Sequence, residues 1–123
     1  MYDVLIIGGG AAGMQCALVL GSAGSKEFAA LKKTGIIMHQ KASHLQNALF
    51  NNVLGLPPGT TGKEILEGGK RQLKQLYPDV VQIEQEKVKS LISENDGYLI
   101  TTNKGSYQAK IVVVAVGYSD ALT

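Results

Sequence analysis

Apolar and polar positions alternate in blocks along the chain, and the block lengths name the elements. Tyr2 and Val4 to Ile7 are apolar around a single Asp3. The unbroken Val-Leu-Ile-Ile run predicts a strand buried on both faces rather than one with a wet side. Gly8-Gly9-Gly10 follows. From Ala11 to Leu20 the residues are mostly helix formers, with Met14, Ala17 and Leu18 at helical spacing, and Gly21 and Gly24 mark the end of that helix. Ser25 to Lys33 carry Phe28, Ala29 and Leu31 among lysines, a pattern open to a further short helix. Gly35 then leads into Ile36-Ile37-Met38, a second buried strand, so the chain begins as a βαβ unit, longer than usual. His39 to Leu56, with three asparagines and few charges, predict irregular chain.

The second half opens with a turn at Pro57-Pro58-Gly59. Thr61 and Glu64 then have the spacing of a capping box, in which each side chain bonds the other residue's backbone N–H. The helix they start carries Ile65, Leu66, Leu73, Leu76 and Tyr77 on roughly one side, contains Gly68 and Gly69, and stops at Pro78. Val80, Val81 and Ile83 open a strand. Val88, Leu91 and Ile92 precede the turn Asn95-Asp96-Gly97, Tyr98 to Thr102 form a strand, Asn103-Lys104-Gly105 turns again, and Ser106 to Lys110 form a polar strand. Ile111 to Val116 are the most apolar run and read as a central strand of a parallel sheet, ending at Gly117. The expected fold class is α/β: one domain over residues 1–123, a Rossmann-like parallel sheet with flanking helices and a three-stranded antiparallel β-meander.

Composition narrows the chemistry. Hydrophobic residues make up 45% and charged residues 18%, with a formal charge of +2 and no run of Lys or Arg, which argues against a nucleic-acid surface. Lys32-Lys33 and Lys70-Arg71 read as solvated faces. The apolar start lacks the basic flank of a signal peptide and is too short to span a bilayer, so no membrane partner is expected and the cytoplasm is the default. Cys16 is the one cysteine, which rules out an internal disulfide or a CxxC pair in these residues and suits a reducing compartment. On the first helix it reads as a packing thiol. No paired carboxylates, metal-ligand cluster or Ser/His/Asp set stands out, and Asp120 reads as a solvated acid, so no catalytic or metal-binding side chain is expected.

Chemistry concentrates at Gly8-x-Gly10-x-x-Gly13. By itself this triad is weak evidence, but here it follows a buried strand and opens a helix, the context a dinucleotide-binding turn requires. Gly8 permits the tight turn, Gly10 lets a pyrophosphate approach the main chain, and Gly13 lets the helix pack on the strand. Free amides and the helix dipole then hold the phosphates. The usual partner, an Asp or Glu at the end of the second strand that binds ribose hydroxyls, is missing: no acid occurs between Glu27 and Glu64. His39 and Gln40 stand there instead, able to hydrogen-bond a ribose or, for His39, to stack on adenine. Gln40 followed by Lys41 also suits a 2′-phosphate, which leaves NADP open as a weaker alternative.

Three separated segments resemble one family. Tyr2 to Gly13, then Asn52-Val53-Leu54-Gly55-Leu56-Pro57 with Gly62-Lys63-Glu64-Ile65-Leu66, then Val113-Val114-Ala115-Val116-Gly117 are similar, in that order, to the flavin domain of thioredoxin-reductase-like pyridine nucleotide–disulfide oxidoreductases. Val116 stands where the family's Ala-Thr-Gly has Thr, and residues 25 to 50 match least. The resemblance implies FAD, with its pyrophosphate on Gly8, Gly10, Ala11, Ala12 and Gly13. It places ribose or adenine contacts near His39, Gln40 and the backbone of Val88, Asn52 toward the pyrophosphate or flavin, and the backbone of Ala115, Val116 and Gly117 past the cofactor. It also implies a flavin-dependent oxidoreductase, NAD(P)H as a possible electron donor, and a site completed by segments not found in these residues: the nicotinamide-nucleotide domain with its CxxC pair and the returning Gly-Asp segment. A homodimer or a partner chain completing the site is therefore expected. The competing readings are a degenerate, non-catalytic nucleotide-binding module, favoured by the acid-free stretch, and an NADP-binding domain.

Overall fold

The computed structural model describes residues 1–27, 32–39 and 44–116. Part of the possible helix over Ser25 to Lys33, and Gln40, Lys41, Gly117 and Asp120, lie outside the described residues. The elements run β1 (Tyr2–Ile7), α1 (Ala11–Ala23), β2 (Thr34–Met38), a single 3-10 turn (His44–Asn47), β3 (Leu49–Phe50), β4 (Thr60–Thr61), α2 (Gly62–Leu76), β5 (Val81–Glu84), β6 (Val88–Glu94), β7 (Gly97–Thr102) and β8 (Ser106–Val114).

β1 sits in the middle of a six-stranded sheet of order β5-β2-β1-β8-β7-β6. It pairs in parallel with β2 (Ile6 opposite Ile36) and with β8 (Ile6 opposite Val113), and β2 pairs in parallel with β5 (Ile37 opposite Ile83). β6, β7 and β8 form the antiparallel meander. The α/β fold is therefore as expected, a mostly parallel sheet with helices and a three-stranded meander. The polar strand and the last apolar strand are, however, one continuous strand. Residues 106–109 of β8 pair with β7, and from Ala109 onward the strand runs along β1.

The uninterrupted apolar runs are explained by what covers the two faces. Leu5, Ile7, Ile37 and Ile83 pack under the meander with Val88, Ile100 and Ala109. Ile6, Ile36 and Met38 point the other way, into Met14 and Ala17 of α1 and Leu73 of α2. Each fully buried aliphatic side chain contributes about 1.5–3 kcal/mol of transfer free energy. Asp3, the polar residue inside β1, accepts a 2.8 Å hydrogen bond from Lys33 N–H and lies 3.4 Å from Lys110 Nζ, tying the start of β1 to both neighbours. Those donors hold its carboxyl below the usual range, the Lys33 amide contributing most.

The capping box forms as expected: Glu64 N–H donates to Thr61 Oγ1 at 3.1 Å and Thr61 N–H to Glu64 Oε1 at 3.3 Å. α2 buries Leu66, Gly69 and Leu73. Leu76 was expected on that face and is 59% exposed. Ten residues beyond Leu66 it has turned about 80° off the stripe. Gly69 has a packing reason inside the helix, since a Cβ there would meet Met14 Cγ of α1 at 2.6 Å. Among the described residues, no helix is long and apolar enough to cross a membrane.

Candidate functional site

In an open parallel sheet, ligands bind beyond the carboxyl ends of the strands. Four segments meet at that edge here: the glycine turn after β1, His39 after β2, Gln85 to Lys87 after β5, and Ala115-Val116 after β8.

The turn after β1 is held by backbone. Gly8 N–H donates to Ile37 O at 3.0 Å, and Ala115 N–H donates to Ile7 O at 2.8 Å. Gly8 has φ +120°, a conformation side chains rarely adopt, and a Cβ on it would collide with the carbonyl of Ala115. Gly13, one turn into α1, faces the Gly8 carbonyl so closely that no Cβ fits between them. Met38 closes the turn from the side, filling the space beside Gly9. α1 then starts at Ala11 with Gly10 as N-cap in extended conformation, no side-chain cap and no acid in its first turn. The N–H groups of Ala11, Ala12 and Gly13 precede the first in-helix acceptor, and Met14 N–H is the first to be satisfied, by Gly10 O at 2.9 Å. Ala11 and Ala12 are exposed and Gly10 has no side chain, which leaves room for an anion at the start of α1, the positive end of the helix dipole. The cradle fits a pyrophosphate.

The edge beyond β2 and β5 is built differently. His39, half-buried, follows Met38 at the end of β2. The link from β5 to β6 passes over that end: Glu86 N–H donates to Met38 O at 3.1 Å, and Gln85 just before it has φ +60°, the one non-glycine positive φ recorded among the described residues. Glu86 is buried, and its carboxylate accepts hydrogen bonds from Thr102 Oγ1 at 2.7 Å and Tyr107 OH at 2.8 and 2.9 Å. Burial of the phenol, and after it the bond to Glu86 and its charge, push Tyr107 up to about 12. Tyr2 is raised by burial and by the same carboxylate. Lys87 is clamped through its backbone, its N–H donating to Asn103 Oδ1 at 2.9 Å and its carbonyl accepting from Asn103 N–H at 3.1 Å.

The structure thus brings Gly8, Gly10, Ala11, Ala12, Gly13, Ala115 and Val116 together, with His39 on the same edge. Val88 starts β6 and its side chain belongs to the core under the meander. Asn52 lies exposed in the β3–β4 loop, which is pinned by its neighbour: Asn51 Oδ1 accepts from Gly59 N–H at 2.8 Å. Sequence reasoning passed over Glu84, Gln85 and Glu86. The signal is two acids, Glu84 and Glu86, within three residues after the Val81–Ile83 run, on the strand beside β2.

No protein-family model matches the chain. It is 30% identical over 116 residues to a ferredoxin–NADP reductase of Levilactobacillus brevis, covering 94% of this chain and 34% of that protein. It is 28% identical over 116 residues to a thioredoxin reductase of Treponema pallidum, covering 94% and 35%. Among solved structures, the atypical thioredoxin reductase of Desulfovibrio vulgaris Hildenborough superposes with a TM-score of 0.77 at 25% identity, covering 98% of this chain and 38% of that one. The T. acidophilum thioredoxin reductase gives 0.75 at 26% identity, covering 94% and 35%. The chain spans about a third of the length of the curated relatives it matches, corresponding to their N-terminal part.

Proposed function

We propose that this chain, which matches the N-terminal part of thioredoxin-reductase-like flavin oxidoreductases in both sequence and fold, is the FAD-binding domain of such an enzyme. One observation carries the reading. The first and last of the three resembling segments, about a hundred residues apart, meet backbone to backbone where Gly8 abuts Ala115, beside the uncapped start of α1.

In this reading the N–H groups of Ala11, Ala12 and Gly13 hold the pyrophosphate, with Gly8 and Gly10 giving it room. His39 and Gln40 attend the ribose, the backbone near Val88 attends the adenine, and Asn52 with Ala115, Val116 and Gly117 lies toward the flavin. Bound FAD supplies the hydride and electron chemistry, and the protein supplies binding, orientation and exclusion of water. NADH or NADPH is the proposed electron donor. Ile111 and Val114 of β8 are exposed at 56% and 49%, one on each face of the sheet, and this apolar exposure supports completion of the site by a second copy or a partner chain. A cytoplasmic location belongs to the same reading and rests on the single Cys16.

Titration of the purified protein with FAD, followed by quenching of flavin fluorescence, tests the proposal. Saturable binding that NADP does not displace is expected. Tight binding of NADP with no uptake of FAD would replace this reading with that of an NADP-binding domain. Binding of neither would leave a degenerate module.

A further inference from the structure

We infer that the carboxylate for the adenosine ribose has moved one strand over, from the end of β2 to Glu84 at the end of β5. The inference rests on the FAD reading and names a residue of the same site. Three observations lead to it. First, a dinucleotide site usually sets a carboxylate on the ribose diol, and the chain from Phe28 to Lys63 has no acid to set beside His39 and Gln40 at the end of β2. Second, the parallel register places Glu84 directly beside Met38, the last residue of β2, so the two strands end level at the ligand edge. Met38 packs against Gly9 of the glycine turn and belongs to the helix-side core, and Glu84, its register partner, reaches the same side, to Lys70 of α2 at 3.0 Å. Third, the neighbouring acid is committed: both oxygens of Glu86 are taken by Thr102 and Tyr107, in the core and away from solvent. Glu84 is half-exposed and, among the described residues, paired with Lys70, itself 44% exposed, an ion pair of little energetic weight that a ligand can exchange.

The placement carries a specificity. A carboxylate accepts two hydrogen bonds from a free 2′,3′-diol and repels a 2′-phosphate, so Glu84 selects FAD or another unphosphorylated adenosine over NADP.

The test measures FAD affinity by fluorescence quenching and then displaces FAD with ADP and with 2′-deoxy-ADP. Protein with the native sequence should prefer ADP by about tenfold, the worth of one hydrogen bond to a charged acceptor. Glu84→Gln should bring the two competitors near parity and weaken FAD by a similar factor. Lys70→Met breaks the same ion pair but keeps the carboxylate, and should retain the preference. If Glu84→Gln keeps the ADP preference, or Lys70→Met loses it, Glu84 is not the ribose acceptor and the FAD reading still stands. If the native protein takes up no FAD, the FAD reading fails and this inference falls with it.

Discussion

The two ends of the candidate site are built on opposite principles. At the proposed phosphate end, the groups on offer are backbone. Gly8, Gly10 and Gly13 work by lacking side chains, and their geometry is enforced by contacts with Ile37, Ala115 and the start of α1. At the proposed adenosine end, side chains hold the protein in place: Glu86, Thr102, Tyr107 and Asn103 lash the β5–β6 link across the end of β2. A backbone site admits almost no substitution. A side-chain site can lose one acid and draw on another strand.

The largest effect is expected at the phosphate end. Gly13→Ala puts a Cβ into the Gly8 carbonyl, and should cost about 3 kcal/mol or more of stability together with flavin retention. Urea unfolding and a flavin-binding assay read the two losses. At the proposed adenosine end, Glu86→Ala removes the acceptor shared by Thr102 Oγ1, which keeps Gly105 O, and the half-buried Tyr107 OH, and should cost about 1–2 kcal/mol while leaving the glycine turn formed. FAD should then bind more weakly than to the native protein but more tightly than to Gly13→Ala; the reverse order would break the contrast between the ends.

A pH titration sharpens it. Tyr107 is raised from 10.0 to about 12 in the folded state, so the fold favours the neutral phenol. Its contribution is fully present below pH 10 and is lost as the pH rises toward 12. The urea midpoint should fall across that window, and fall less in Tyr107→Phe. An equal fall in both proteins would separate Tyr107 from the alkaline loss. The smallest effect lies outside both ends. Gly68→Ala in α2 meets only Arg71 Nη2, at 3.8 Å, and should raise stability by up to about 1 kcal/mol, with FAD affinity unchanged. Next to it, Gly69→Ala should lower stability, because Met14 occupies the space.

What was legible in the sequence was local. The buried run of β1, the glycine turn opening α1, the Thr61–Glu64 box and the turns at Asn95–Gly97 and Asn103–Gly105 each carry their own signal within a few residues. What was not legible depends on pairing between distant segments. Hydrophobicity changes at Lys110, so Ser106–Lys110 and Ile111–Val116 look like two strands, yet the backbone continues and only the neighbour changes, from β7 to β1. Glu84 looks like a surface acid until the register sets it beside Met38. Glu86 gives no local sign of burial, since its partners Thr102 and Tyr107 lie 16 and 21 residues away.

The most direct test of the central claim is the visible absorption spectrum of the purified protein after incubation with FAD and desalting, beside that of Gly13→Ala. The account predicts a retained flavin band in the native protein and none in the variant. A native protein that leaves the column colourless, or a variant that keeps as much flavin as the native one, would contradict it.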